Sequence, residues 1–351
     1  MIKQRHGIVT FLVLTLSLGG CRKVIDHPLP PGQHVLFVVN GGSETIGLYW
    51  PDSGRYEPDV LTTGNTPNFM IEYEGRLYLV NSGFQGTPSI QVIDPVQMVV
   101  EQTWPLPIGS NPMELAISNI SPPLAWVTSW TRDQVYKLDA QTGTLMDSVT
   151  VGHSLDGILW FNQKLYVVST NYDQQNWQGD TGTLYVLDPD HLTVLDSLTL
   201  GYNPMRIATD GQSLFIIGGD AFAGFGTVWK IDPTTLSIVA TQDLPGGPGD
   251  LVIQDTVVYV VGWSMPLVLL RTTDLAILRE VDLTDVLPVE AGVMGVEVSH
   301  DQINHSVYLA ASNWMGPNAV LIYDVPADSV VQVVQTGDGV GTQILREVWL
   351  P

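Results

Sequence analysis

Residues 64–95 read GNTPNFMIEYEGRLYLVNSGFQGTPSIQVIDP and contain one copy of a unit that recurs along the chain. A turn leads into a short apolar strand, a second strand follows at residues 77–80, and a third ends at Asp94-Pro95. Apolar runs bounded by Gly, Pro and Asp turns predict antiparallel strands joined by tight connections. One such unit is too small to bury its own apolar faces, so neighbouring copies must pack on each other.

The turn before each first strand recurs every 42 to 50 residues, at Pro67, Pro112, Ser154, Pro204, Pro248, Val293 and Gly341. A strand-rich repeat of this length is typical of propeller blades. The chain after Gly341 is long enough for one strand, whereas residues 34–66 supply a second, third and fourth strand without a first. We therefore predict an all-β, seven-bladed β-propeller of four-stranded antiparallel blades over residues 34–351, closed by pairing of the C-terminal strand with the first blade.

The second strands agree best between units, because all are nearly continuous apolar runs such as those at residues 165–169 and 257–261. This composition is expected where both faces of a sheet are covered by neighbouring blades. Most third strands run into an aspartate that we expect to form an Asx turn. These aspartates are Asp94, Asp139, Asp188, Asp232 and Asp324.

These motifs resemble the YVTN-type repeat propellers, a family of seven-bladed proteins of bacterial and archaeal envelopes. The resemblance rests on Leu77-Tyr78-Leu79-Val80-Asn81, on Ile93-Asp94-Pro95 and on the turns Gly109-Ser110-Asn111-Pro112 and Gly201-Tyr202-Asn203-Pro204. It covers nearly all of the chain after the N-terminal segment and implies the fold but no activity, since members are diverse. Arg271-Thr272-Thr273-Asp274 departs from the pattern in the sixth unit.

The N-terminal segment has the order of a secretory signal: Lys3 and Arg5, an apolar run at residues 8–18, and small residues before Cys21. Leu18-Gly19-Gly20-Cys21 resembles the lipobox of bacterial lipoproteins, which implies lipidation of Cys21 and removal of residues 1–20. We expect residues 21–33 to form a Pro-rich tether and the protein to be a membrane-anchored lipoprotein on the extracytoplasmic side, at a periplasmic or cell surface. Cys21 is the only cysteine, so disulfides do not stabilise the domain.

The formal net charge of −22 becomes −24 when Lys3 and Arg5 are removed with the signal. A surface of this sign repels phosphate backbones, so we expect no nucleic-acid partner. Charged residues make up only 14% of the chain, a proportion that argues against a disordered protein. We expect a monomer.

An aromatic residue follows the second strand in six of the seven units, in the loop that leads to the third strand. These residues are Phe84, Trp130, Tyr172 with Trp177, Phe222, Trp263 and Trp314. The loops emerge on the same face as the turns into the first strands. The aromatics either bind a ligand there, such as a glycan, a peptide or a quinone-like molecule, or pack between blades and seal that face.

The turn into each first strand places one residue near the central axis: Phe69, Glu114, Asp156, Arg206, Asp250, Gly295 and Gln343. Glu114, Asp156 and Asp250 could hold Ca²⁺ or another hard cation, and Arg206 and Gln343 could contact a ligand. The alternative is a solvated polar channel in which Arg206 neutralises a neighbouring acid.

No metalloprotease, P-loop or hydrolase-elbow motif occurs in the sequence. His153, close to Asp156, is the histidine that could act as a base, whereas His300 and His305 are expected in an exposed turn on the opposite face. The leading hypothesis is an envelope binding or interaction module for a glycan, peptide or protein partner. The alternatives are a metal-dependent lactonase-like hydrolase or lyase with its site at the channel, and a structural envelope protein.

Overall fold

The computed structural model describes Leu29 and residues 32–263, 265–286, 294–301, 304–312, 317–338 and 343–350. The predictions for the signal segment, Cys21, Trp314 and the turns at Val293 and Gly341 fall outside these residues. Strands and turns account for the regular structure of the described residues, and none of them belongs to a helix long and apolar enough to cross a bilayer.

Twenty-eight strands of the described residues form seven antiparallel sheets of four strands each, the blades of a propeller. Blade 1 contains β1 (His34–Asn40), β2 (Thr45–Trp50), β3 (Arg55–Thr62) and the last strand, β28 (Gln343–Trp349). Blade 2 contains β4 (Pro67–Tyr73), β5 (Arg76–Asn81), β6 (Ser89–Asp94) and β7 (Val99–Pro105). Blade 3 contains β8 (Pro112–Ile117), β9 (Leu124–Ser129), β10 (Gln134–Asp139) and β11 (Leu145–Thr150).

The remaining blades repeat this order. Blade 4 contains β12 (Leu155–Phe161), β13 (Lys164–Ser169), β14 (Thr181–Leu187) and β15 (Val194–Tyr202). Blade 5 contains β16 (Pro204–Thr209), β17 (Leu214–Asp220), β18 (Phe225–Asp232) and β19 (Ser237–Leu244). Blade 6 contains β20 (Gly247–Gln254), β21 (Val257–Trp263), β22 (Leu267–Arg271) and β23 (Ile277–Val281). Blade 7 contains β24 (Met294–Asp301), β25 (Ser306–Ser312), β26 (Pro317–Asp324) and β27 (Ser329–Asp338).

The blades close into a ring, as predicted. The first strand of each blade contacts the first strand of the next, and β28 contacts both β24 and β4. β28 pairs antiparallel with β1 from His34↔Trp349 to Asn40↔Gln343. The first strands therefore line a central channel, and the C-terminal strand completes the first blade.

The hydrophobic core lies between adjacent blades. One cluster, for example, joins Tyr78 and Val80 of blade 2 to Leu115, Val127 and Tyr136 of blade 3. Second strands are buried on both faces, whereas outer strands such as β11 are largely exposed. This distribution explains why the second strands read as continuous apolar runs in the sequence.

Asparagine shapes two of the turns that lead into the channel strands. Asn111 and Asn203 precede Pro112 and Pro204 and adopt positive φ angles of 43° and 45°. Asparagine tolerates this left-handed conformation better than most residues, and proline suits the first position of a strand.

The aspartates after the third strands form Asx turns, as predicted. Asp94 Oδ1 accepts hydrogen bonds from the backbone N–H groups of Val96 and Gln97, and Asp139 Oδ1 accepts from Gln141 and Thr142. Backbone hydrogen bonds of this kind lower the pKa of Asp139, Asp188 and Asp232.

Candidate functional site

The structure brings Glu114, Asp156 and Arg206 together in the central channel. Arg206 Nη1 lies 2.5 Å from Glu114 Oε1 and 3.7 Å from Asp156 Oδ1. The Arg206 guanidinium also lies 5.8 Å from the ring centroid of Phe69. We call Glu114, Asp156, Arg206 and the nearby Asp250 the channel cluster.

Two acids of the channel cluster have strongly perturbed titration. Burial raises the pKa of Asp156 and of Asp250 to about 6, although the Arg206 guanidinium acts in the opposite direction on both. The charge of Glu114 adds to the increase for each of them. Oδ1 of Asp156 is buried and receives no hydrogen bond. Negative charge in this part of the channel therefore exceeds what Arg206 compensates.

Channel side chains also satisfy backbone groups at the inner edges of the sheets. Glu114 Oε2 accepts a hydrogen bond from the Ile158 N–H of the next blade (3.1 Å), and Asp250 Oδ2 accepts from the Val298 N–H (2.9 Å). Arg346 donates from Nε and Nη2 to the Met70 carbonyl. An edge strand otherwise leaves these groups without partners, so the channel residues join adjacent blades.

β-bulges set which residue reaches the level of the channel cluster. Between β8 and β9 the register shifts from Pro112 to Leu115, and Glu114 is the second residue of that bulge. Arg206 has the same place in blade 5, but in blade 4 Asp156 is the first bulge residue and Gly157 the second. Asp156 therefore lies one residue earlier in its strand than Glu114 does.

The register also differs from the sequence prediction in blades 7 and 1. Glu297 pairs with Ala310, the third residue from the end of β25, as Asp250 pairs with Val261, the third from the end of β21. Glu297, rather than the predicted Gly295, is thus the register equivalent of Asp250. Gln343 pairs with Asn40, the last residue of β1, whereas Leu345 pairs with Val38, the third from the end, so Leu345 rather than the predicted Gln343 is the register equivalent in blade 1.

The predicted calcium site does not fit this arrangement well. The Arg206 guanidinium sits between Glu114 and Asp156, where it provides the positive charge that an ion would bring. Among the described residues, the group whose potential ligand atoms all lie within 4.8 Å of one another is a different one: His34, Asp301 and Glu347.

His34, Asp301 and Glu347, which we call the closure cluster, lie where β28 joins β1. His34 Nε2 is 2.7 Å from Glu347 Oε1, whereas Nδ1 faces Asp301 Oδ2 at 3.6 Å. Because opposite ring nitrogens face the two carboxylates, the imidazole bridges them instead of sharing one ion with both. Burial lowers the pKa of His34, but the hydrogen bond to Glu347 and the charges of Asp301 and Glu347 outweigh burial and raise it.

A cavity of about 550 Å³ lies in the central channel and begins at the channel cluster. All seven first strands contribute to its wall, and Glu114, Arg206 and Asp250 lie at one end. The cavity is also lined by Trp160, Glu347 and His300, which lie near the far ends of their strands.

The prediction that His300 is an exposed turn residue is wrong. β24 extends to Asp301, and His300 is half-buried, with burial as the main cause of its lowered pKa. His305 is exposed, as predicted.

Three of the predicted loop aromatics are strongly exposed on one face of the propeller. The exposed fraction is 96% for Phe222, 80% for Trp177 and 65% for Phe84. Trp130, Tyr172 and Trp263 are half-buried. We call the face that carries these loops and the turns into the first strands the loop face.

Aromatic contacts connect consecutive blades on the loop face. Trp130 and Tyr172 have ring centroids 5.6 Å apart, Tyr202 and Phe225 5.4 Å, and Phe222 and Trp263 6.4 Å. Packing and exposure thus coexist: the half-buried rings support neighbours whose faces remain accessible. We call these six residues the aromatic arc. The comparison of the repeat units along the sequence did not identify Tyr202 and Phe225, although Tyr202 lies in the recurring turn Gly201-Tyr202-Asn203-Pro204.

Acidic groups surround the aromatic arc. Tyr202 donates a hydrogen bond from its hydroxyl to Asp220 Oδ2 (3.2 Å), and burial together with the charge of Asp220 raises the pKa of Tyr172. His153 Nδ1 lies 2.9 Å from Asp133 Oδ2, and half of the His153 side chain is exposed. Since His153 contacts Asp133 rather than Asp156, the structure does not join it to the channel cluster.

Comparison with known proteins supports the fold and goes no further. No protein-family model matches the chain, and no curated protein matches it. Solved structures do match. A quinoprotein alcohol dehydrogenase-like protein from Bacteroides thetaiotaomicron has a TM-score of 0.65 and 14% identity, covering 89% of this chain and 78% of its own.

Two further structures are similar. Hydrazine synthase from Kuenenia stuttgartiensis has a TM-score of 0.60 and 16% identity over 76% of this chain and 84% of its own. The dihydro-heme d1 dehydrogenase NirN, in complex with DHE, has a TM-score of 0.57 and 13% identity over 91% of this chain and 78% of its own. At these identities the similarity establishes a shared propeller architecture alone.

Proposed function

We propose that this protein is a binding module whose loop face captures a polypeptide partner with a basic and apolar surface. The observation that supports the proposal is the exposure on one face of Phe222, a member of the aromatic arc, together with Trp177 and Phe84. Accessible large aromatic side chains are enriched at protein interfaces and concentrate binding energy there.

The charge of the loop face favours a basic partner. Its described loops and adjoining strand ends carry Glu44, Asp133, Asp173, Asp180 and Asp220, with Arg132 as the basic residue among them. Opposite charges steer two proteins together and suppress wrong partners. A neutral glycan would stack on the same rings without using this charge, so salt dependence separates the two ligand classes.

The tether remains part of this proposal. With Cys21 lipidated, the module would stand at a membrane surface in the extracytoplasmic space, and its partner would be an envelope component. Leu29, within the predicted tether, is already buried and donates its N–H to the Val96 carbonyl (2.9 Å). The free part of the tether would then end before Leu29.

The test compares two double variants for retention of envelope-fraction proteins on the immobilised domain. Trp177→Ala with Phe222→Ala removes the two most exposed rings of the loop face. Leu195→Ala with Leu278→Ala removes exposed apolar side chains from the outer strands and is the matched control. We expect the first pair to lose the retained partner and the second to keep it. Equal retention by both would refute the proposal, and retention that is insensitive to salt but blocked by polysaccharide would assign the face to glycans.

The named activities of the structural neighbours do not transfer on the present similarity. The similar structures are a quinoprotein alcohol dehydrogenase-like protein, hydrazine synthase and a dihydro-heme d1 dehydrogenase, and their identities of 13–16% to this chain establish the fold alone.

A further inference from the structure

The channel cavity carries unequal charge at the end formed by the channel cluster. Glu114 and Asp250 line that end and Asp156 lies behind it, 3.7 Å from Arg206. Arg206 lies closest to Glu114 and compensates one of these three carboxylates. Asp156 and Asp250 therefore contribute two further negative charges when both are ionised, and the charges of Arg346 and Glu347, which also line the cavity, cancel each other.

Hydrogen bonds leave part of this acidity unsatisfied. Asp250 Oδ2 and Glu114 Oε2 each accept a backbone N–H from the neighbouring blade. Asp156 Oδ1, in a side chain almost completely buried, receives no hydrogen bond and is turned toward Arg206. Asp156 does not line the cavity, so a cation held there would favour the charged form of Asp156 by electrostatic attraction and not by a hydrogen bond.

Part of the cavity wall is suited to an apolar group, whereas Ser299, His300, Arg346 and Glu347 contribute polar and charged groups to it. Phe69, Ile71, Ile158, Val252 and Leu345 line it between the channel cluster and the far end. Trp160 lies toward that end, stacked on Trp126 with centroids 5.3 Å apart. Aromatic faces attract cations as well as apolar groups. The cavity volume of about 550 Å³ is within the usual range for small-molecule sites.

We propose that the channel cavity binds a small organic cation, with an ammonium group against Asp250 and Glu114 and an apolar body against the wall formed by Phe69, Ile158 and Val252. Arg206 occupies the position between Glu114 and Asp156, so the ammonium would lie on the cavity side of the channel cluster, where Asp250 and Glu114 line the wall. This site is separate from the loop face, and its occupant need not be the partner captured there.

The test uses benzylammonium as the probe, with benzyl alcohol as its neutral counterpart and benzoate as its anionic one. Calorimetric titration of the folded domain at about pH 7.5 should show benzylammonium binding at least about tenfold more tightly than either control, the increment of one charge-assisted hydrogen bond. Binding should weaken at about pH 5, because Asp156 and Asp250, with pKa values raised to about 6, become neutral.

Variants locate the site. Asp250→Asn keeps an acceptor for the Val298 N–H and should weaken benzylammonium binding about tenfold or more, whereas Asp196→Asn, a change on the exposed outer strand β15, should leave it unaltered. Val252→Phe places a larger side chain in the cavity without replacing an acidic residue, and it should also abolish binding. Thermal unfolding of each variant confirms that the domain is folded.

Three results would overturn the proposal. They are equal affinity for benzylammonium and benzoate, unchanged affinity in both Asp250→Asn and Val252→Phe, and no measurable binding of benzylammonium to the folded wild-type domain. Tight binding of benzylammonium that is unchanged in the Trp177→Ala, Phe222→Ala variant would support the proposal and show that the cavity and the loop face are independent sites.

Discussion

Replacing Arg206 by methionine tests the electrostatic structure of the channel. The change removes the guanidinium that contacts Glu114 and lies 3.7 Å from Asp156, and leaves three acids facing one another. Removing one partner of a buried ion pair costs about 3–5 kcal/mol. Because 20% of the Arg206 side chain is exposed, screening places the expected loss near the lower value, about 3 kcal/mol at neutral pH.

The pH dependence of this loss has a definite sign. Burial raises the pKa of Asp156 from 3.8 to about 6, so its stabilising contribution is fully present below pH 3.8 and is lost as the pH rises through about 6. The difference between these two pKa values corresponds to about 3 kcal/mol of unfolding free energy, and the pKa of Asp250 is raised in the same way. Arg206 lowers both pKa values, so its removal deepens the loss at high pH. The variant should therefore approach wild-type stability near pH 5 and differ most near pH 7.5.

The assay is urea unfolding followed by tryptophan fluorescence at both pH values. Arg271→Met is the control, since Arg271 pairs with Asp274 on the surface and its removal should change the unfolding free energy by about 0.5 kcal/mol or less. Adding Asp156→Asn and Asp250→Asn to Arg206→Met should recover stability at neutral pH. A loss that is the same at both pH values, or no recovery in the triple variant, would refute the reasoning.

Three further changes probe other parts of the molecule. His34→Gln removes the ion pair with Glu347. Because the pKa of His34 is raised, the stability that this pair adds is present below the usual pKa of 6.5 and is lost as the pH rises. In urea unfolding, wild type and variant should therefore differ by about 1–3 kcal/mol near pH 5.5 and converge near pH 8.5. Gly143→Ala should lower the melting temperature by several degrees, because φ is +69° and a Cβ would lie 2.0 Å from the Trp104 ring; an unchanged melting temperature would contradict the packing between blades 2 and 3. Cys21→Ser should move the protein from the membrane to the soluble fraction, and continued sedimentation with membranes would disprove lipidation.

The repeat made most of the fold predictable from the sequence. Second strands such as Leu165–Ser169 within β13 are buried on both faces, and this requirement fixes their composition whatever the ligand. The split first blade followed from counting strands at the two ends, and the pairing of β1 with β28 confirms it. Asp94 and its equivalents were identifiable because an Asx turn is a local interaction.

The channel was predictable to within one or two residues and no further. Whether Asp156 or Gly157 reaches the level of Glu114 depends on how a bulge is placed, and a bulge leaves no clear mark in the local sequence. The closure cluster was missed because His34, Asp301 and Glu347 come from three strands distant in sequence. Exposure of Phe222 and burial of Trp126 are likewise properties of the assembled ring, not of the residue types.

Site-specific photo-crosslinking in the native cell tests the central claim, that the loop face captures a partner. A photoreactive phenylalanine analogue replaces Phe222 on the loop face in one strain and Leu278 on the outer strand β23 in another; both positions are exposed. We predict a discrete crosslinked polypeptide from position 222 and none from position 278, with loss of the adduct when Trp177→Ala is added. Identical adducts from both positions, or no adduct from position 222, would contradict the account.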